Sequence, residues 1–190
     1  MQSIIHQNQA YKNISYAGKE VKKREFENCT FHHCDFSDSN FSYSRFTACT
    51  FTACNLALIK LNSVTLHEVS FRECKLLGVN FSECNDFLFS VSFEKCLLDY
   101  ASFQQKKMSG TSFIHSSLKR ADFTNARMER AVFDYTNLEG AVFSRTDLKE
   151  ADFRTATNFT IDPELNHLKK AMFSMEGLEG LLRKYGIRVG

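Results

Sequence analysis

Only one proline, no tryptophan and no glycine- or serine-rich stretch occur in these 190 residues, so nothing in the chain reads as a flexible linker between domains. The apolar runs are far shorter than the roughly 20 residues that cross a bilayer, which argues against a membrane span. The N-terminus lacks the basic, apolar and small-residue succession of a secretory signal, and a cytoplasmic location is expected. Charge of either sign is not in excess: 24 basic and 22 acidic residues leave a formal net charge of +2. Residues 1–95 hold 10 of each sign, and the remainder holds 14 basic and 12 acidic. That balance does not advertise nucleic-acid binding. There is no glycine-rich phosphate loop, and the six histidines show no triad spacing. No enzyme activity and no cofactor are expected.

What the chain does have is Phe, Leu or Met at almost every fifth position. The series runs Phe26, Phe31, Phe36, Phe41, Phe46, Phe51, Leu56, Leu61, Leu66, Phe71, Leu76, Phe81. It resumes, two residues out of phase, as Phe93, Leu98, Phe103, Met108, Phe113, Leu118, Phe123, Met128, Phe133, Leu138, Phe143, Leu148, Phe153. Fifteen of the 19 phenylalanines fall on it. Two positions before each of these centres the residue is usually small, as at Cys29, Cys34, Ser39, Ser44, Val69, Ala121 and Ala131. Residues two apart on an extended segment point the same way, so each unit sends one large and one small side chain inward and exposes the residue between them. The two remaining, mostly polar positions form a corner. Stacked units of this kind make an all-β solenoid of a single domain.

Phe alternates with Leu or Met every ten residues from Phe93 to Leu148. A three-sided coil returns to the same wall after fifteen residues and mixes the two in every stack; a four-sided coil returns after twenty and sorts them. Four rings in one narrow cross-section overfill it, whereas a sorted set interdigitates, so the expected coil has four sides. About six coils and a length of roughly 30 Å follow from the usual strand spacing.

Twelve residues separate Phe81 from Phe93 where ten keep register. Taking Leu88 as the missing centre preserves the alternation and puts a bulge near residues 84–90, with Phe87 or Phe89 partly outside the column. Either both rings fold back onto the wall, or the bulge is a contact loop on a rigid scaffold. Asp86, Phe87 and Phe89 are the candidate partner contacts. Residues 1–23 keep the phase at Tyr11, Tyr16 and Val21 but lose the small partners (Gln9, Ile14, Lys19), and read as an N-terminal cap. The repeat spans 24–157, and its last clear centre is Phe153. Residues 158–190 read as a C-terminal cap and dimerisation segment. Ser174 is a plausible helix N-cap, Leu178, Leu181, Leu182 and Tyr185 form the stripe of a short α-helix, and Gly186 stops it. Ile187 and Val189 then alternate as a short strand whose edge invites a second copy, giving a homodimer through this end.

The cysteines all occupy the small inward position. Cys29-x-x-His32-His33-Cys34 resembles a metal-ligand run, but the phase sends its thiols inward and its imidazoles to the corner, so four ligands cannot converge and no metal is expected. In a reducing compartment these thiols are small buried hydrophobes. Lys106, Lys107, Arg127, Arg130 and Lys149 gather on one wall with Glu129, Asp147 and Glu150, which reads as a solvated face of mixed charge. Lys106 is anomalous because it sits in an inward slot, so its corner is expected to be distorted.

The units Ala121-Asp122-Phe123-Thr124-Asn125 and Ala151-Asp152-Phe153-Arg154-Thr155 resemble the pentapeptide-repeat family, across about residues 24 to 157. The resemblance implies a right-handed quadrilateral β-helix. The tail, Ile161-Asp162-Pro163-Glu164-Leu165-Asn166 and then Gly180-Leu181-Leu182-Arg183-Lys184-Tyr185-Gly186-Ile187-Arg188-Val189-Gly190, looks like the end of the quinolone-resistance (Qnr and MfpA) and microcin-immunity branch. That likeness implies dimers joined through this region and partners of the DNA gyrase and topoisomerase IV type. It carries over no catalytic residue. Mimicry of duplex DNA, a mechanism proposed for several such proteins, needs a dense acidic surface, and the near-cancelling charges here argue against it. Two functions are therefore expected to compete: a topoisomerase-binding protector giving quinolone or toxin tolerance, and a generic protein-interaction scaffold.

Overall fold

The computed structural model describes residues 4–187, and these form a parallel β-solenoid of about seven turns that ends in one short helix. Each early coil contributes two short strands: β1 (Ile4–Gln7) and β2 (Ala10–Lys12), β3 (Arg24–Glu27) and β4 (Thr30–His32), β5 (Arg45–Thr47) and β6 (Thr50–Thr52), β7 (Thr65–His67) and β8 (Val69–Arg72). Later coils contribute one: β9 (Val91–Glu94), β10 (Ser112–Ile114) and β11 (Val132–Asp134). Two parallel sheets result, ordered β1-β3-β5-β7 and β11-β10-β9-β8-β6-β4-β2. Partners lie 20 residues apart, as in Phe31↔Phe51, so a coil comprises four five-residue sides. The other two walls carry isolated parallel bridges at the same spacing, such as Asn55↔Lys75 and Asp122↔Val142.

The five-residue unit works as its chemistry dictates. The centres and their small partners are buried together in one continuous core. One wall holds an unbroken aromatic stack, Tyr11, Phe31, Phe51, Phe71, Phe93, Phe113, Phe133, Phe153 and Phe173, with centroids 4.4–5.3 Å apart and planes within 6–15°. The opposite wall stacks Phe81, Phe103, Phe123 and Phe143. The second residue after most centres turns the corner at positive φ, for example Asp38 (+53°) and Tyr100 (+62°). Asn or Asp before the centre supports that corner, as Asn40 Oδ1 accepts from both the backbone N–H (3.0 Å) and the hydroxyl (2.6 Å) of Ser42. Small inward side chains serve the backbone too: Cys74 Sγ donates to Phe51 C=O (3.4 Å) and Thr136 Oγ1 to Phe113 C=O (2.8 Å). All seven cysteines are free and buried, and burial pushes the Cys49 thiol up to about 11.

Three boundaries differ from the sequence reading. The N-terminal segment continues the coil instead of decaying from it: β1 and β2 pair in register with β3 and β4, and His6 stacks on Phe26 at 4.7 Å. At the other end the ladder passes residue 157 through Asp147↔His167 and Asp152↔Met172, so residues 158–173 add a coil, interrupted at 158–161. The helical stripe is shorter than expected, α1 being Glu179–Leu182 flanked by 3-10 turns at Glu176–Leu178 and Arg183–Tyr185. Ser174 Oγ accepts from Gly177 N–H (3.1 Å) and Gly186 (φ +64°) ends the segment, as their positions predict.

Candidate docking loop and C-terminal cap

A fourth departure concerns residues 84–90. The stacks Phe71–Phe93 and Phe81–Phe103 cross this region undisturbed, so both extra residues are confined to one side of one coil. On that wall β7 has no following strand, and bridging resumes only at Lys107↔Arg127. Between them the chain leaves the ladder. It is tied to the preceding coil by Asn85 N–H to Val64 C=O (2.8 Å), Asn85 Nδ2 to Thr65 Oγ1 (3.1 Å) and Ser90 N–H to Leu66 C=O (2.9 Å).

Phe89, not Leu88, fills the missing centre. Phe89 is 8% exposed, whereas Leu88 sits at φ +60° with its side chain half in solvent. Phe87 is 77% exposed, far more than any other phenylalanine of the chain. Of the three candidate contacts, Phe87 and Asp86 lie on the surface and Phe89 lies in the core. Buried as it is, Phe89 offers a partner no contact area. Leu88, which the spacing argument assigned to the core, faces outward. Lys106 accounts for the arrangement: its inward-pointing ammonium donates to Cys84 C=O and to Asp86 Oδ1 (2.7 Å), beside the Phe89 ring. The distortion expected from Lys106 is thus met one coil earlier, by the loop. Burial pushes the Cys84 thiol up to about 12, the Lys106 charge pulling the other way.

On the rest of that wall Arg130 and Lys149 pair with Glu150 (3.0 and 3.7 Å), and His167 Nδ1 lies 3.0 Å from Asp147 Oδ1. At the C-terminal end the short helix lies across Phe159. Lys184 ties it back to Asp162 (2.6 Å) and Glu164 (2.7 Å), and the Tyr185 hydroxyl donates to Glu164 (2.9 Å). These hydrogen bonds hold both carboxyl groups below their ordinary range. Leu178 is at the edge of exposure, Leu181 and Leu182 are half-buried, Tyr185 and Ile187 are exposed, and Val189 lies outside the described residues. Leu165, Met172 and Met175 join them on the surface, Met175 being 80% exposed. The sequence reading missed those three because it ended the repeat at 157; carrying the twenty-residue step one coil further places Met172 beside Asp152. A cleft of about 310 Å³ opens between the last coil and the helix, beside their contact at Phe159. Its arginines are engaged at its margins, Arg154 with Asp152 and Arg183 with Glu179, and do not converge on a common point. Among the described residues no group of three or more His, Cys, Asp or Glu side chains is placed to hold a metal, and no helix is long and apolar enough to cross a membrane.

A four-walled parallel solenoid built on a five-residue unit, filled to its axis and broken by one short projecting loop, defines a repeat scaffold. The chain belongs to the pentapeptide-repeat family: the family model for a pentapeptide repeat region matches residues 24–103, and that for pentapeptide repeats in eight copies matches 92–130 and 121–157. Among solved structures it is similar to full-length QnrB1, a plasmid-mediated fluoroquinolone resistance protein. The TM-score is 0.64 at 16% identity, over 96% of this chain and 100% of that one. HetL, a pentapeptide-repeat protein involved in heterocyst differentiation regulation in the cyanobacterium Nostoc, matches at a TM-score of 0.45 and 19% identity, over 93% and 89% of the two chains. At these identities the likeness is one of fold. No curated protein matches the chain by sequence.

Proposed function

We propose that this chain is a non-enzymatic binding protein that docks on another protein through the loop at 84–90, with a type II topoisomerase, DNA gyrase or topoisomerase IV, as the partner. The observation that carries the reading is Phe87, an almost fully exposed ring on a loop anchored at three points to a rigid column. A large aromatic side chain held in water costs free energy that a partner pocket recovers, and rigid presentation lowers the entropy lost on docking. The topoisomerase is suggested by the fold shared with a fluoroquinolone resistance protein and by the C-terminal tail. Cytoplasmic placement and a homodimer joined through residues 158–190 belong to the same reading. Contact through the loop needs no acidic surface, so the near-neutral rod is compatible with it, while electrostatic imitation of DNA is not. The same neutrality favours a second reading, a scaffold for some other protein.

Gyrase supercoiling in the presence of ciprofloxacin separates the two. Micromolar purified protein is expected to restore supercoiling, and Phe87→Ala to abolish the effect with its thermal midpoint unchanged. Absence of rescue by the wild-type chain removes the topoisomerase, and a lysate pull-down lacking gyrase subunits then leaves the scaffold.

A further inference from the structure

The inward small slot on the wall of the loop is occupied coil by coil by Ser44, Val64, Cys84, Lys106, Ala126 and Thr146. All are buried, and Lys106, at 2% exposure, is the one charge among them. An ammonium out of water is costly unless its three N–H donors find acceptors. Here they face Cys84 C=O, Asp86 Oδ1 at 2.7 Å and the Phe89 ring, whose centroid is 5.1 Å away. Every one of these partners belongs to the loop of the preceding coil. A residue needed only to fill the column has apolar alternatives, which Val64 and Ala126 use.

The loop also has a choice to make. Phe87 and Phe89 are identical rings two residues apart, and a slip of two residues exchanges one for the other in the core slot. We infer that Lys106 is the positioning residue of the docking loop: its buried ammonium selects the register in which Phe89 turns in and Phe87 and Leu88 turn out. It does so by gripping Asp86 and Phe89 together, a pair that only this register brings to it. The functional consequence rests on the docking role proposed for the loop, while the positioning is a property of the free protein.

The test uses the full chain. Lys106→Met keeps the apolar stem but has no donors; Lys106→Ala restores the small residue usual on this wall. Hydrogen exchange followed by mass spectrometry is expected to show amides 85–90 exchanging about tenfold faster or more in both variants, with the β9–β11 ladder unchanged. Wild-type exchange in Lys106→Met means that Lys106 is only a filler and overturns the inference. Amine acetylation of the wild-type protein needs no variant to fold: Lys107 is expected to react at least about tenfold faster than Lys106, and equal rates overturn the inference. In the gyrase assay Lys106→Met is expected to need about tenfold more protein for the same rescue, at an unchanged thermal midpoint. If the wild-type chain gives no rescue, the docking role fails, and the register selection is decided by exchange and acetylation alone.

Discussion

At the residue scale the column depends on pairing one large and one small inward side chain in every unit. Phe113 is fully buried, stacked between Phe93 (5.2 Å) and Phe133 (5.3 Å) and edge-on to Phe103 and Phe123. Stacked walls leave no mobile side chain to refill a vacated ring, so Phe113→Ala is expected to cost about 3–5 kcal/mol, read as a lowered urea midpoint. Tyr135→Ala, at an exposed corner, is expected to shift stability by no more than about 0.5 kcal/mol. A Phe113 variant as stable as the Tyr135 variant sinks this account of the core. The sorting of Phe against Leu or Met was legible in the sequence from Phe93 to Leu148. It is no packing requirement, however: the coil of Phe26, Phe31, Phe36 and Phe41 buries four rings, set edge-on to their neighbours. The identity of the centre after Phe81 was not legible, because counting by fives assigns Leu88 by arithmetic, while the decision is made by what reaches Lys106. The signal lay in two anomalies read apart: two surplus residues, and a lysine in an inward slot one coil later.

At the scale of elements, the corners and the C-terminal helix follow different rules. Corners at positive φ recur wherever the unit recurs, and the ladder hydrogen bonds on either side offset a conformation that costs L-residues roughly 1–2 kcal/mol. The helix docks by close approach. A Cβ at Gly180 meets the backbone oxygen of Phe159 at 2.5 Å and its ring at 2.7 Å, and one at Gly177 meets the same ring at 3.0 Å. Gly177 and Gly180, three residues apart, present one bare face to Phe159. Two effects of Gly180→Ala oppose each other. Helix propensity alone gains about 1 kcal/mol, whereas the contact with Phe159 C=O cannot be relieved by any rotamer. The clash is expected to win, lifting residues 176–185 off the last coil, so that hydrogen exchange accelerates there and nowhere in β4–β11. Slower exchange in that segment contradicts the docked arrangement.

For the whole molecule, the two ends of the rod are unlike. Ile4 and Ile5 are exposed at the first coil, where the terminal strands β1 and β2 also carry unpaired edges. The far end exposes Leu165, Met172, Met175, Tyr185 and Ile187, and its helix is held by Lys184, Asp162 and Glu164. Adaptable exposed methionines and an aromatic pinned by Glu164 suit a self-complementary contact, and a two-fold arrangement doubles each of them across the interface. The first coil suits it less. Residues 4–24 hold Lys12, Lys19, Lys22, Lys23 and Arg24 against Glu20, so two copies meeting there place like charge against like. Sedimentation velocity at micromolar concentration is therefore expected to show a dimer that Met175→Asp with Leu178→Asp converts to monomer and that Ile5→Asp leaves intact. The opposite pattern moves the interface to the first coil, and a wild-type monomer removes the dimer. The loop lies midway along the rod, so the Met175→Asp, Leu178→Asp variant is also expected to keep the acetylation protection of Lys106 found in the wild-type chain; loss of that protection ties the loop register to the C-terminal end.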